Sequence, residues 1–179
     1  MMVLRSTTNR FRMLALLMLA GATLSACTPA PEPTPTPTAA FASEEEAFAA
    51  AEEVYDAYLA AAALRSDGDI NADPDKFLAG AALEADMEAQ RGLKEQGLRI
   101  VGPSTIAEFN EREAQVSGPI GTIVADVCVD ISGSRVYDDS GVDVTPAQRP
   151  DRGQVRVEFQ GDSEQLLIAQ STPSEDSVC

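Results

Sequence analysis

The sequence contains no histidine and no tryptophan, only two lysines among its 13 basic residues, and only three cysteines in 179 residues. Without histidine the chain lacks the commonest general base at neutral pH, the commonest zinc ligand and the usual partner of a serine or cysteine nucleophile. Most hydrolase chemistry goes with it, and no metal or cofactor is expected. Positive charge is scarce as well. Three of the basic residues, Arg5, Arg10 and Arg12, lie within the first 26 positions, so the remainder carries ten basic residues against 29 acidic ones, a net charge of −19. That balance argues against a phosphate-binding surface or a nucleic-acid partner. Long hydrophobic runs are also missing: the longest near the start, Met13 to Ala22, is too short to span a bilayer as a mature helix. What remains, 44% hydrophobic, is enough for the core of one domain.

The first 26 residues have the order of a signal peptide, with basic residues, an apolar run and then small residues. Leu24-Ser25-Ala26-Cys27 follows and resembles the lipobox of bacterial lipoproteins, in which a small residue precedes a cysteine that is diacylated and becomes the new N-terminus. That resemblance implies cleavage after Ala26, lipidation of Cys27, the lipid bilayer as a partner, and residence on the extracytoplasmic face of the cell membrane. Two acyl chains suffice for stable anchoring where one does not. From Thr28 to Thr38 five prolines alternate with Thr, Ala or Glu, a density that suits an extended polyproline-type tether and no helix or buried strand. Residues 1–26 are thus expected to be a cleaved leader, 27–42 a lipidated cysteine with its tether, and 43–179 a single domain.

Within that domain helices come first. Ser43 and Glu46 have capping-box spacing, and Phe48, Ala51, Tyr55, Leu59 and Ala62 recur at helical steps, predicting a helix over about 44–65. Asp73-Pro74 is a second helix start, with Asp73 as N-cap. Gly80 can split the segment, which runs to Gln96 and is closed by Gly97. Its apolar set is Phe77, Leu78, Ala81, Ala82, Ala85, Ala89 and Leu93, and its exposed face carries Glu84, Asp86, Glu88, Arg91, Lys94 and Glu95.

Beyond Gly97 the period changes to two. Strands are expected over 98–101, 104–109, 113–117 after a turn at Asn110-Glu111, 122–132, 154–160 and 165–171, with a hairpin joining Arg135 to Tyr137 with Val142 to Val144. In the long fourth strand Ile123, Ala125, Val127, Val129 and Ile131 share a core face, leaving Asp126 and Asp130 toward solvent. Helices followed by an antiparallel sheet with one apolar face give an α+β class, the sheet curving around the first helix.

The stretches Tyr55-Asp56-Ala57-Tyr58, Ala72-Asp73-Pro74-Asp75-Lys76-Phe77 and Val127-Cys128-Val129-Asp130, with a final Cys179, resemble small actinobacterial lipoproteins of unassigned function. These are similar in layout to the cone-shaped α+β domains called nuclear transport factor 2-like or cystatin-like. The resemblance brings no catalytic residues with it. In an oxidising compartment Cys128 and Cys179, the pair left once Cys27 is lipidated, favour a disulfide that pins the C-terminal tail on the outer face of the long strand; two free thiols are the alternative.

Three constellations carry chemical interest. Asp67 to Asp73 places oxygens as a calcium loop does, but Ala72 stands for the turn glycine and Leu78 for the bidentate glutamate, so an acidic interhelical loop explains it equally. Tyr55, Tyr58, Asp126 and Asp130 evoke the proton-transfer sites of cone-shaped enzymes, although the strand phase points both aspartates away from the apolar face. Finally, Phe48, Tyr55, Leu59, Phe77, Val127, Val129, Val157, Phe159 and Ile168 would line any cavity between the first helix and the sheet, and would equally make a filled core. The expected function is a non-enzymatic binding or interaction domain at the cell envelope. Its partner would be an envelope protein; the alternative is a small apolar ligand bound, or isomerised, in that cavity.

Overall fold

The computed structural model describes residues 39–174 and Cys179. The leader, Cys27 and most of the tether lie outside the described residues. No described helix is long and apolar enough to cross a membrane.

Helix α1 spans Glu44–Ser66, and its start follows from local chemistry: the Ser43 side chain accepts a hydrogen bond from the Glu46 N–H at 3.1 Å, and Glu44, Glu45 and Glu46 occupy the positive end of the helix dipole. The reciprocal bond of the box is displaced by one residue, because the Glu46 carboxylate accepts from the Ala42 N–H. A 3₁₀ turn, Pro74–Phe77, follows; Asp73 stands at its N-cap position without a side-chain capping bond, which corrects the expectation for that residue. Helix α2 spans Gly80–Glu95. Gly80 divides the two as expected, holding a φ of 50° that favours glycine.

The strands are β1 (Leu98–Val101), β2 (Thr105–Gln115), β3 (Gly121–Asp130), β4 (Arg135–Asp138), β5 (Arg152–Gly161) and β6 (Leu166–Pro173). They form an antiparallel four-stranded sheet, β2-β3-β5-β6, and a separate ribbon, β1-β4. Two strands expected at 104–109 and 113–117 are one. Asn110-Glu111 does not turn the chain; register shifts at Ile106/Glu108 and Glu111/Glu113 absorb the irregular pattern as bulges and bend β2. The expected 135–137/142–144 hairpin is present only in outline, since Asp138 N–H bonds Val142 C=O and Val144 N–H bonds Val136 C=O, while the main partner of β4 is β1.

The fold is α+β, with both helices against antiparallel sheets. Ala47, Phe48, Ala51, Tyr55 and Leu59 form the buried stripe of α1, small residues alternating with large so that the helix sits close to the sheet. Opposite them are Ile123, Ala125, Val127 and Val129 of β3, Val157 and Phe159 of β5, and Leu166 and Ile168 of β6. The alternation of β3 places its apolar face as expected. Ala40 and Phe41, assigned by sequence to the tether, belong to this core: Phe41 packs over Gly121, and Ala40 N–H bonds the carbonyls of Val116 and Gly118. The domain therefore begins ahead of Ser43.

Candidate functional site

The nine residues expected around an internal cavity are placed differently from one another. Phe48, Tyr55, Leu59, Val127, Val129, Val157, Phe159 and Ile168 are buried in the core, whereas Phe77 is only half-buried. The rings of Tyr55 and Phe109 both pack on Phe159, with centroids 6.4 Å away, and fill the space between helix and sheet. Leu59 borders a groove at the far end of α1, and Phe77 a separate pocket of about 460 Å³ beside the turn between β5 and β6; the other seven border neither.

The groove at the far end of α1 has a volume of about 590 Å³. Its apolar lining comes from Leu59, Ala62 and Ala63 of α1, Leu93 of α2, and Leu98 and Ile100 of β1. Its polar groups are Tyr58, Arg65, Asp86, Gln90, Lys94, Arg99 and Asp139. The volume is in the range of small-ligand and peptide-anchoring sites.

A charged network holds one wall. Arg65 bonds Asp75 at 2.8 Å and Asp86 at 2.9 Å, joining the end of α1 to the 3₁₀ turn and to α2. The Tyr58 hydroxyl donates to Asp86 at 3.3 Å. Burial, reinforced by the negative charge of Asp86, pushes the Tyr58 phenol up to about 12. Burial raises Tyr55 still further. Neither phenol is poised to donate or accept a proton at neutral pH. Asp86 was assigned to a solvated face and is instead largely covered. The covered stripe of α2 is Ala82, Leu83, Asp86 and Leu93; Gln90 borders the groove but is exposed, as are Ala81, Ala85 and Ala89. Asp86, Gln90 and Leu93 recur at helical steps, and the polar members of that series mark a helix facing a wet groove. That signal was in the sequence; the alanines outweighed it.

Asp126 and Asp130 lie on the other side of the sheet from Tyr55 and Tyr58, as the strand phase implied. Asp126 does not face solvent, however. It is only 2% exposed, held at 2.7 Å by Arg112 and 2.8 Å by Arg156, whose stems fold over the central strand. The Arg156 hydrogen bonds, helped by Arg112 and opposed by burial, hold its carboxyl below the usual range. Asp130 pairs with Arg152 at 3.5 Å and accepts from Ser132. Between the two aspartates, Cys128 is bonded to Cys179 in a disulfide. In the loop after α1, Asp69 accepts from both nitrogens of Asn71, an Asx turn, and among the described residues no acidic cluster is arranged to hold a metal ion.

The fold and its groove define a small α+β domain with a cleft lined by both apolar and polar side chains. No protein-family model matches the chain, and no curated protein matches it in sequence. Among solved structures it is similar to the intermembrane space region of the chloroplast protein ARC6, with a TM-score of 0.48 and 14% identity over 70% of this chain and 94% of that one.

Proposed function

We propose that the protein is a lipoprotein, anchored by acylated Cys27 on the extracytoplasmic face of the cell membrane, whose domain acts by binding an envelope partner and not by catalysis. The anchor rests on the order of basic, apolar and small residues ahead of Leu24-Ser25-Ala26-Cys27. The Cys128–Cys179 disulfide suits that oxidising location. We read the fold as nuclear transport factor 2-like, supported by α1 lying on the apolar face of the antiparallel sheet that β2, bent by its bulges, helps to form.

The observation that carries the binding reading is the groove between α1, α2 and β1, lined by apolar and polar side chains together. The packed interior lends no support to a ligand enclosed between α1 and the sheet. Two measurements test the reading. Metabolic labelling with an alkynyl fatty acid should mark the wild-type protein and not Cys27→Ala, which should also leave the membrane fraction. Native mass spectrometry of the mature protein, drawn from its envelope, should retain a bound species that Leu93→Trp displaces by filling the groove. Retention unaffected by Leu93→Trp would move binding elsewhere.

A further inference from the structure

The groove has a feature that a small molecule would not need. Among the described residues strand β1 is hydrogen-bonded on one side only, to β4, and is the outer member of its ribbon. Leu98, Arg99 and Ile100 border the groove in succession, with Gly102 and Ser104 beyond. Successive strand side chains leave on opposite faces, so a groove bordered by three in a row meets the strand on its edge, where unpaired N–H and C=O groups stand.

The ribbon is also prepared for extension. Ile100 lies opposite Val136, whose carbonyl accepts from Val144, so these three side chains share one face of the pleat with Val142 two residues on. Ile100, Val142 and Val144 are 40%, 56% and 42% exposed. A strand added to β1 would continue this apolar face while its backbone pairs with the open edge.

Charge selects the occupant. The chain carries −16 overall, yet the groove is lined by three cations, Arg65, Lys94 and Arg99, against two carboxylates, Asp86 and Asp139. Arg65 and Asp86 are bound to each other. Among the described residues neither Lys94 nor Arg99 has a carboxylate in ion-pair range; Arg99 lies over the Tyr137 ring at 5.2 Å. Two uncommitted cations therefore face one uncommitted carboxylate, Asp139, in a protein that elsewhere repels acidic chains.

We propose that the groove binds an extended acidic segment of another protein, which adds to β1 as a strand and places a carboxylate between Lys94 and Arg99. The proposal rests on the groove being the binding site and names its ligand class. The test uses the mature acylated protein in detergent micelles and a fluorescent Thr-Val-Glu-Val-Thr-Val peptide. Its controls are a Lys-for-Glu version and versions N-methylated at one or the other alternate set of residues. The Glu peptide should slow hydrogen exchange at 98–101, and one N-methylated set should abolish binding. Lys94→Glu with Arg99→Glu, both exposed positions, should weaken the Glu peptide about tenfold and favour the Lys peptide. Absence of protection at β1 with millimolar peptide would overturn the proposal, as would binding that survives both N-methylations. So would protection that rises with protein concentration alone, which would assign the edge to a second copy. If Leu93→Trp displaces a native ligand while no peptide protects β1, this inference falls and the groove remains a binding site. If neither occurs, both fall.

Discussion

Asp126 shows how far one side chain's surroundings can depart from its place in a pattern. Alternation puts it on the outer face of β3, and outer faces are ordinarily wet, but a central strand has neighbours on both sides that can cover it. Arg112 and Arg156 do so while remaining 52% and 62% exposed themselves. Because water screens both guanidiniums, Asp126→Asn should cost only about 1–2 kcal/mol in urea unfolding at neutral pH. The sign with pH is fixed by the direction of the shift: a carboxyl held low when folded stabilises the protein above its unfolded value of about 4, and that contribution is lost as pH falls through the lower folded value. The variant should therefore lose less stability than wild type on acidification, and parallel acid limbs would remove the pair from the account. Tyr58 titrates at the other end of the scale. Its folded value of about 12 lies above the value of about 10 expected when unfolded. The stability it confers is complete below pH about 10 and lost as pH rises toward 12. Tyr58→Phe should remove the native phenolate absorbance change near pH 12 and cost about 1 kcal/mol at neutral pH by breaking the bond to Asp86.

Legibility differs between the elements for a physical reason. Helix α1 was readable because it buries one face against a dry core, and strand β3 because its core-face residues alternate even though Asp126 and Cys128 on the other face are buried as well. The face of helix α2 is rotated from the sequence expectation, since it sets Ala82 and Leu83 on the core and turns Asp86, Gln90 and Leu93 to the groove, where a polar side chain is as much at home as leucine. Strand β2 was cut in two because a bulge breaks the period of two without breaking the strand. Nor could local pattern reveal that β1 pairs with β4, which is a long-range choice. The joint between ribbon and sheet makes that choice possible. At Gly102, φ is 96°, and an added Cβ would overlap the Gly133 carbonyl, because the turn leaving β1 rests directly on the turn before β4. Gly102→Ala should cost about 2 kcal/mol through that overlap and the disfavoured φ. It should also raise hydrogen exchange in β1 and β4 more than in β3 and β5. A uniform rise across all strands would show that the joint is not local.

At the scale of the molecule, the chain carries strong like charge and closes itself with a single covalent link. Cys128 sits at the centre of the outer face of β3 and is wholly buried, while Cys179 comes from the end of the chain, 51 residues later. The segment between them contains β4, β5 and β6, and past β6 the Ser174 N–H still bonds the Gln154 carbonyl. The bridge therefore adds little to the placement of β6. Its larger effect falls on the unfolded chain, where it forbids the expansion that self-repulsion would otherwise drive. A loop of this size corresponds to about 3–4 kcal/mol in the chain-entropy account. Cys128→Ser with Cys179→Ser should lower Tm by about 10 °C. Cys179→Ser alone should cost much the same, since either change opens the loop. If the loss acts through the unfolded state, the dependence of unfolding free energy on urea should steepen in the variants, because an unbridged chain exposes more surface on unfolding. If the bridge instead worked by holding the tail against the sheet, that slope would stay constant. Cutting the chain after Ser174 in the Cys128→Ser background would then be more damaging than opening the bridge, an outcome that would turn the argument from the unfolded ensemble back to native contacts.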